Sequence, residues 1–248
     1  MISAQEARER ELRHWATDKW EGPEYEGLDS RVVKLHNAML FMRRLRIWQN
    51  RFVGNVLELG GQLHCSVLLK GLLPNLTVYG SDISPAAISV LPVWERLLEA
   101  KIDGSYACPA DEIPFEAESL DTVFAFEAAH HFLTHRKALK EIHRVLRPGG
   151  TCLYIQEPVC RRWMYPLMYR LANRAARTPG GFVHEDVIVY PKLLRIAREE
   201  GFETEITLYP QAITLGRLGA FHKGFAAILP AFGRFTFSMA DMIFSKPK

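Results

Sequence analysis

Short apolar runs alternate along the chain with longer stretches in which apolar residues recur at helical spacing. The clearest example runs from Val56 to Asp82. Its first apolar run stops at Gly60 and Gly61, a helical pattern follows, and a second apolar run from Leu76 to Tyr79 leads through a glycine and a serine to Asp82. A strand that ends in a glycine turn, followed by a helix and a second strand, is typical of a β-α-β unit. We therefore predict two parallel strands of a sheet here.

The alternation continues beyond this unit and predicts an α/β fold. The segment Ser119–Phe126 is apolar on both faces, as expected for a strand buried in a parallel sheet. Other predicted strands are Tyr106–Cys108, Thr151–Gln156, Glu203–Tyr209 and Ala240–Phe244. Predicted helices are Ser3–Trp20, Arg31–Arg51, Pro85–Lys101 with Pro92 inside it, Leu133–Leu146, Arg161–Arg177 and Pro191–Glu200. This order predicts a Rossmann-like doubly wound sheet of seven strands, mostly parallel.

The helix Arg31–Arg51 has apolar residues at helical spacing. We expect one face, formed by Val32, Leu35, Met39 and Met42, to pack against the rest of the domain.

The glycine turn and Asp82 carry the first chemical prediction. In a β-α-β unit of this kind, an adenosine-containing cofactor binds beyond the carboxyl ends of the strands. Gly60 and Gly61 allow a sharp turn and a close approach of the ligand to the backbone. Asp82 ends the second strand, where it can accept hydrogen bonds from the two ribose hydroxyls. The pattern therefore predicts a cofactor that contains a ribose.

Three stretches, in this order, resemble the class I S-adenosylmethionine-dependent methyltransferases, and in particular the small-molecule group that includes the quinone methylases. They are the β-α-β unit, ADEIPFEAESLDTVFAFEAAHHF (Ala110–Phe132) and EIHRVLRPGGTCLYIQEP (Glu141–Pro158), in which HRVLRPGG is the most specific phrase. The resemblance covers residues 55–158 and, more loosely, the later strands. It implies S-adenosyl-L-methionine as the cofactor, an antiparallel last strand and a helical cap.

The resemblance also implies how the chain is organised. We predict a single methyltransferase domain over residues 1–248. Within it we expect an N-terminal helical lid (1–52), a cofactor-binding core (53–158), an inserted cap helix (159–185) and the C-terminal part of the sheet (186–248).

The first glycine motif departs from the family pattern, which has an acid followed by three alternating glycines. Glu58 and Gly60 fill the first two positions, but Gln62 and His64 stand where the other glycines are expected. A side chain at Gln62 would narrow the approach of the amino-acid end of the cofactor, and a positive φ there would strain the backbone. Two alternatives to methyl transfer therefore stay open. They are a catalytically inactive methyltransferase-like partner subunit and a methyltransferase fold recruited to non-methylating chemistry.

The resemblance assigns cofactor contacts to residues at the strand ends. It implies that Glu58, with the backbone of Gly60, helps hold the methionine end and that Ile83 packs on the adenine; the alternative for Glu58 is a strand-end acid that caps the next helix. The family has an acid where this chain has Pro109, so Asp111 reaches the exocyclic amine instead, helped by the Ala110 backbone, or it is a solvated loop acid. The predicted cofactor-binding residues are Glu58, Gly60, Gly61, Asp82, Ile83, Ala110, Asp111 and Phe126.

Two histidines follow the fourth predicted strand at the mouth of the same crevice. Methyl transfer is a direct displacement at a sulfonium carbon, so the protein mainly aligns the acceptor and removes its proton. Imidazole titrates near neutral pH, and we predict His130 as the catalytic base; the alternative is that both histidines only pack. His131 and Glu157 are predicted to contact the substrate, although Glu157 could equally be a plain loop acid. No acid or cysteine completes a metal site with His135 at ligand spacing, so no metal is predicted.

The composition is that of an ordinary globular protein, with a net charge of +3 and four cysteines. The cysteines form no Cys-x-x-Cys pair, which favours buried thiols in a reducing compartment. The first residues lack the apolar segment of a signal peptide, and no run approaches the ~20 apolar residues of a membrane span. We therefore expect a cytoplasmic protein.

Two of the predicted helices are basic. Arg31–Arg51 carries six arginines and lysines and no acid, and in Arg161–Arg177 three arginines, Arg170, Arg174 and Arg177, share one face. Either these faces are simply solvated, or they form a positive rim that attracts an anionic substrate. We expect a small-molecule substrate as the partner and no nucleic acid, since no RNA-binding motif is present. Peripheral membrane contact stays open, and the sequence does not indicate an oligomeric state.

Overall fold

The first half of the chain forms the β-α-β unit and the strands beside it. The computed structural model describes residues 9, 28–61, 64–175, 177–178, 181–182, 187–209 and 237–248. The predicted helix Ser3–Trp20, apart from residue 9, and Gln62 lie outside these ranges. The elements of this half are α1 (Leu28–Trp48), a 3₁₀ turn (Gln49–Arg51), β1 (Asn55–Leu59), α2 (His64–Leu72), β2 (Thr77–Asp82), α3 (Pro85–Ser89), α4 (Leu91–Leu97), β3 (Gly104–Ala107) and β4 (Leu120–Phe126).

The second half completes the sheet and adds a helical insertion. Its elements are a 3₁₀ turn (Ala129–His131), α5 (His135–Val145), β5 (Leu146–Cys160), α6 (Tyr165–Ala175), β6 (Arg177–Thr178), β7 (Gly181–Phe182), β8 (Ile188–Val189), α7 (Tyr190–Glu199), β9 (Glu203–Tyr209) and β10 (Phe237–Ser245). The β6–β7 pair stands apart from the main sheet as a small hairpin.

The main sheet has the order β3-β2-β1-β4-β5-β10-β9. Strands β3, β2, β1, β4 and β5 are parallel neighbours, and β10 lies antiparallel between β5 and β9. The predicted doubly wound, mostly parallel sheet with an antiparallel last strand is therefore confirmed. The short strand β8 pairs with the end of β5 and brings the sheet to eight strands instead of the predicted seven.

Both faces of the sheet are covered. In β4, Val123 and Ala125 contact the cluster on the side of α5 and α7, whereas Phe124 and Phe126 contact the cluster on the side of α1 and α2. Successive residues of a strand point to opposite faces, so an apolar run of this kind is buried twice over. No helix among the described residues combines the length and the apolar character needed to cross a membrane.

The buried face of α1 differs from the prediction in the second half of the helix. Met39 and Met42 are 53% and 36% exposed, while Leu40, Phe41 and Leu45 are buried. The predicted side chains of Val32 and Leu35 lie outside those that the structure describes. Phe41 packs on Phe124 and Phe126, with ring centroids 5.9 and 5.3 Å apart. An aromatic side chain buries more area than a methionine, and these ring contacts set the rotation of the helix.

Two predicted boundaries also move. The helix predicted over Pro85–Lys101 is divided at Val90 into α3 and α4, and Pro92 lies in the first turn of α4, where its missing N–H costs nothing. Strand β5 begins at Leu146 rather than Thr151, because Arg147 precedes a proline and is biased toward extended backbone. It continues past Gln156 to Cys160, because β8 and β10 pair with its final residues.

Candidate functional site

Four strands place the predicted site residues on one edge of the sheet. Strands β1, β2, β4 and β5 are parallel, so their carboxyl ends meet there. Glu58 lies near the end of β1, Asp82 ends β2, and His130 follows β4. Glu157 lies in β5, close to the end of the strand at Cys160. The structure thus brings together the residues predicted for cofactor and catalysis from separate parts of the sequence.

Glu58 is a fully buried acid, and only one of its two carboxyl oxygens has hydrogen-bond partners among the described residues. Its Oε2 accepts hydrogen bonds from the backbone N–H of Ser66, at 2.8 Å, and from the Ser66 hydroxyl. Its Oε1 is buried and has no hydrogen-bond partner within the described part of the chain. Burial raises the pKa of Glu58 from 4.5 to about 8, although the Ser66 bonds act in the opposite direction. A buried carboxyl oxygen without a donor is costly, and a ligand donor would satisfy it.

The glycine turn lies directly against this oxygen. Gly60 and Gly61 have φ values of +77° and +84°, a region that side chains other than glycine rarely adopt. A Cβ atom added to Gly61 would lie 2.8 Å from Glu58 Oε1, and one added to Gly60 would lie 3.0 Å from the Cβ of Ala128. The turn therefore needs glycine both for its backbone and for the space above Glu58. We call the space between Gly60, Gly61 and the Glu58 carboxyl group the cradle. The cradle and Glu58 Oε1, which has no hydrogen-bond partner among the described residues, fit a ligand that carries a cationic amine.

Asp82 closes β2 beside this cradle. Its Oδ1 accepts a hydrogen bond from the backbone N–H of Ser84 at 2.8 Å, which fixes the carboxylate at the start of α3. Ile83, Ala110 and Asp111 are half-buried in the loops that follow β2 and β3 at the same edge. Their positions suit the predicted adenine pocket, and their contacts with a cofactor stay predictions.

Phe126 differs from the other predicted cofactor-binding residues because its side chain points into the core. Its side chain is buried against Phe41, while its backbone carbonyl lies 3.5 Å from the Cβ position of Gly61. Phe126 therefore contributes its backbone carbonyl to the cradle, and its ring belongs to the core beneath α1.

His64 stands where the family has a glycine, and the fold has room for its side chain. It begins α2, is 6% exposed, and its ring lies 5.6 Å from that of Trp94 on α4. The imidazole packs between two helices.

Glu157 organises the turn that follows β4. It is fully buried, and its Oε1 accepts hydrogen bonds from the backbone N–H groups of Ala128 and Ala129 at 2.9 and 2.8 Å. Its Oε2 accepts from the backbone N–H of His130 at 3.1 Å and lies 2.9 Å from His130 Nδ1. Both carboxyl oxygens are thus engaged with the turn, so Glu157 positions His130. The prediction that Glu157 contacts the acceptor directly remains a prediction.

The Glu157 contact selects the tautomer of His130. Three backbone N–H groups already donate to the carboxylate, which can only accept, so Nδ1 of His130 carries the hydrogen that faces it. In the neutral imidazole the lone pair then lies on Nε2, as a general base requires. The ring of His131 lies 4.0 Å from that of His130, measured between ring centroids.

The sequence analysis missed a buried polar cluster that joins α1 to the sheet. Asp241, in β10, is 1% exposed. Its Oδ2 accepts from the guanidinium of Arg44, with Nε at 2.8 Å, and from Trp48 Nε1 at 2.5 Å. Its Oδ1 accepts from the backbone N–H of Gln156 and from the Tyr209 hydroxyl, each at 3.0 Å. The sequence feature that could have predicted this cluster is the lone acid in the apolar run SMADMIF, since a buried charge requires partners.

Tyr209 and Gln156 extend this cluster to the carboxyl edge. Arg44 lies 4.0 Å above the Tyr209 ring, and burial raises the pKa of Tyr209 well above its usual range, so its hydroxyl stays a donor. Gln156 is fully buried and has φ +61°, and Glu127, at the end of β4, has φ +47°. Two non-glycine residues in the left-handed region on adjacent strands mark a constrained backbone at the floor of the crevice.

Among the described residues, no group of three or more histidines, cysteines, aspartates or glutamates is arranged to hold a metal ion.

Part of the chain is similar in sequence to known methyltransferases. Residues 59–154 match the sequence profile of a methyltransferase domain family. A demethylmenaquinone methyltransferase of Thermus thermophilus is 28% identical over 148 residues, which are 55% of this chain and 66% of that protein. One from Chlorobaculum tepidum is 33% identical over 90 residues, 36% of this chain and 35% of that protein. The chain thus spans between about a third and two thirds of these curated relatives.

A solved structure extends the likeness to the whole fold. The geranyl diphosphate C-methyltransferase of Streptomyces coelicolor, solved with Mg²⁺, geranyl diphosphate and S-adenosyl-L-homocysteine, superposes with a TM-score of 0.67. The superposition covers 97% of this chain and 98% of that one at 15% sequence identity. The sequence profile and the curated relatives thus support the resemblance to the class I S-adenosylmethionine-dependent methyltransferases, and the solved structure shares the fold.

Proposed function

We propose that this protein transfers a methyl group from S-adenosyl-L-methionine to a small-molecule acceptor, with His130 as the general base. The observation that carries the proposal is the meeting of three groups on one edge of the sheet. These are the Glu58 carboxyl above the glycine turn, Asp82 at the end of β2, and the His130–Glu157 pair after β4.

Each group has a separate task. Glu58 and the glycine turn hold the amino-acid end of the cofactor, and Asp82 holds the ribose hydroxyls. When bound, S-adenosyl-L-methionine supplies an electrophilic methyl group. His130 Nε2 would take the proton of the acceptor as the methyl group passes from the sulfonium sulfur to the acceptor and S-adenosylhomocysteine leaves, and Glu157 would keep the imidazole in the required tautomer and orientation.

The relatives' names guide the choice of acceptor. Two of them act on demethylmenaquinone, and others are named phthiotriol/phenolphthiotriol dimycocerosates methyltransferases. These names favour methyl transfer over an inactive partner subunit or non-methylating chemistry. We therefore propose a hydroxylated or quinone-like acceptor and use demethylmenaquinone, with and without a reductant, as the first probe. The basic rim predicted from the sequence would add attraction for an anionic acceptor.

The direct test is the release of S-adenosylhomocysteine that depends on this probe. Turnover that needs both the probe and His130 supports the proposal. A protein that binds S-adenosylhomocysteine but releases none from S-adenosylmethionine with either form of the probe refutes the proposed acceptor.

Asp82→Ala should weaken the binding of S-adenosylhomocysteine by at least about tenfold, because each charge-assisted hydrogen bond to a ribose hydroxyl contributes about 1.5–3 kcal/mol. Asp82→Asn keeps an oxygen for the Ser84 N–H and removes only the charge, so it should lower the affinity for S-adenosylhomocysteine less than Asp82→Ala does. Isothermal titration calorimetry measures both. Asp103→Asn, at the opposite end of the parallel strands, is the matched control. Unchanged affinity in folded Asp82→Ala would remove the ribose assignment.

Cofactor binding at pH 7 should release about one proton from Glu58, because its pKa lies at about 8 in the folded protein and an incoming ammonium group favours the carboxylate. The folded protein binds this proton more tightly than the unfolded chain, so its contribution to stability is complete below pH 4.5 and is lost as the pH rises to about 8.

The proton is counted by titrating S-adenosylhomocysteine in buffers with different ionisation enthalpies. Glu58→Gln keeps the shape of the side chain and should abolish the release while weakening binding. A wild-type enthalpy that does not depend on the buffer would contradict this role for Glu58.

A further inference from the structure

The segment that follows β5 exposes two large apolar side chains between arginines. Trp163 is 65% exposed and Leu167 is 52% exposed. The turn at residues 161–164 runs into α6 through continuous helical hydrogen bonds, including Leu167 N to Met164 O at 3.1 Å and Met168 N to Met164 O at 3.0 Å. Residues 163, 167 and 170 therefore lie on one face of a single helical segment. We call this the Trp163 face; it consists of Trp163, Leu167 and Arg170, and the exposed Arg162 directly precedes it in the chain.

The opposite face of the same segment already has its partners. Met168 is buried with Cys160 and Val187, and Met164 and Tyr165 pack against them. The segment thus does not need the Trp163 face in order to pack on the domain. An exposed tryptophan beside an exposed leucine is unusual on a monomer, where large apolar groups on the surface mark an interaction site.

The charged residues along the sequence of this segment have one sign. Arg162 and Arg170 are exposed, and the sequence from Arg161 to Arg177 contains five arginines and no acid. Arginines attract anionic lipid head groups, while tryptophan and leucine insert at the boundary between head groups and acyl chains. A nucleic acid would account for the arginines but not for the leucine, since only flat side chains stack on bases.

We propose that the Trp163 face docks on the surface of an anionic lipid bilayer. Trp163 and Leu167 enter the interface, and Arg162 and Arg170 contact the head groups. The segment begins directly after β5, the strand that carries Glu157, so docking holds the carboxyl edge of the sheet close to the lipid. Vesicle binding requires no methyl transfer, and this proposal stands or fails separately from the proposed function.

The test is co-sedimentation of the full chain with vesicles of phosphatidylcholine alone and of phosphatidylcholine with 30% phosphatidylglycerol. The wild-type protein should bind the anionic vesicles, and the binding should weaken as salt is raised. The variant Trp163→Ala/Leu167→Ala should bind them at least about tenfold more weakly, because it loses most of the apolar area that enters the interface. Arg162→Glu/Arg170→Glu should abolish the binding.

The matched control is Leu97→Ala, which removes a leucine that is 58% exposed on α4 and does not belong to the Trp163 face. It should bind like the wild type. All the substituted side chains are exposed, so the variants should fold, and their S-adenosylhomocysteine affinity checks this. Equal binding to neutral and anionic vesicles, or wild-type binding by the Trp163→Ala/Leu167→Ala variant, would overturn the proposal. So would binding of single-stranded RNA in place of vesicles.

Discussion

His130→Ala should lower the rate of methyl transfer by about 10²–10⁴ at neutral pH, because it removes the base that takes the proton of the acceptor. The affinity for S-adenosylhomocysteine should stay at the wild-type value, since the imidazole serves the acceptor. The rate should recover partly in alkaline buffer, where a larger fraction of the acceptor is already deprotonated. Single-turnover rates across a pH series measure both effects.

His131→Ala is the matched control for this prediction. It removes the imidazole that lies 4.0 Å from that of His130 between ring centroids and leaves the His130–Glu157 contact in place. Its pH–rate profile should keep the wild-type shape, and any loss of rate from a missing substrate contact should be the same at every pH, without the recovery in alkali expected for His130→Ala. If the His130→Ala protein turns over at the wild-type rate at every pH, His130 is a packing residue and the proposed base is wrong.

Glu157→Gln tests the same pair from the other side. One oxygen becomes an amino group that faces backbone donors, so the variant should disturb the turn and the tautomer of His130. Because both residues act through one imidazole, the double variant His130→Ala/Glu157→Gln should be scarcely slower than His130→Ala alone. Losses that multiply would show that Glu157 has an independent role.

Asp241→Ala should lower the free energy of unfolding by about 3–5 kcal/mol, because it leaves a partly buried arginine without its carboxylate. The side chain of Arg44 is 15% exposed, and the indole N–H of Trp48 and the backbone N–H of Gln156 lose their acceptor as well. Urea denaturation measures the change. Adding Arg44→Met should restore part of the loss, since it removes the orphaned charge.

The chain offers a matched control for this prediction in Glu205→Ala. The Arg51–Glu205 ion pair also joins the end of the N-terminal helical region to β9, but its side chains are 40% and 58% exposed. Solvent screens such a pair, so its loss should cost less than about 1 kcal/mol. If Asp241→Ala and Glu205→Ala cost the same, the buried cluster does not hold α1 on the sheet.

The strand ends of the site could be predicted because each depends on a short stretch of sequence. An apolar run that stops at Gly60, or at Asp82, indicates both the strand and the edge at which it ends. The parallel order of the sheet then brings these ends together with His130. The same reasoning could not predict that Glu157 holds the 128–130 turn, because that contact depends on the separation of two strands and not on a local pattern.

The rotation of α1 was wrong for a related reason. Helical spacing alone fits both the methionine face and the face of Leu40, Phe41 and Leu45. The choice was made by Phe124 and Phe126, which are more than eighty residues away in the sequence. Periodicity narrows the buried face of a helix, and the partner on the sheet decides it.

The Arg44–Asp241 contact has a consequence for the order in which the protein folds. The two residues are 197 positions apart, and Asp241 reaches its place only when β10 has entered the sheet between β5 and β9. Strands β1 to β5 can pair through shorter loops, and such pairings are expected to form earlier. The strand ends of the site therefore take shape before the Arg44–Asp241 contact can hold α1, when the helix rests on apolar contacts such as those of Phe41 with Phe124 and Phe126. A nascent chain would pass through a state in which the carboxyl edge of β1 to β5 is formed and this buried ion pair is not.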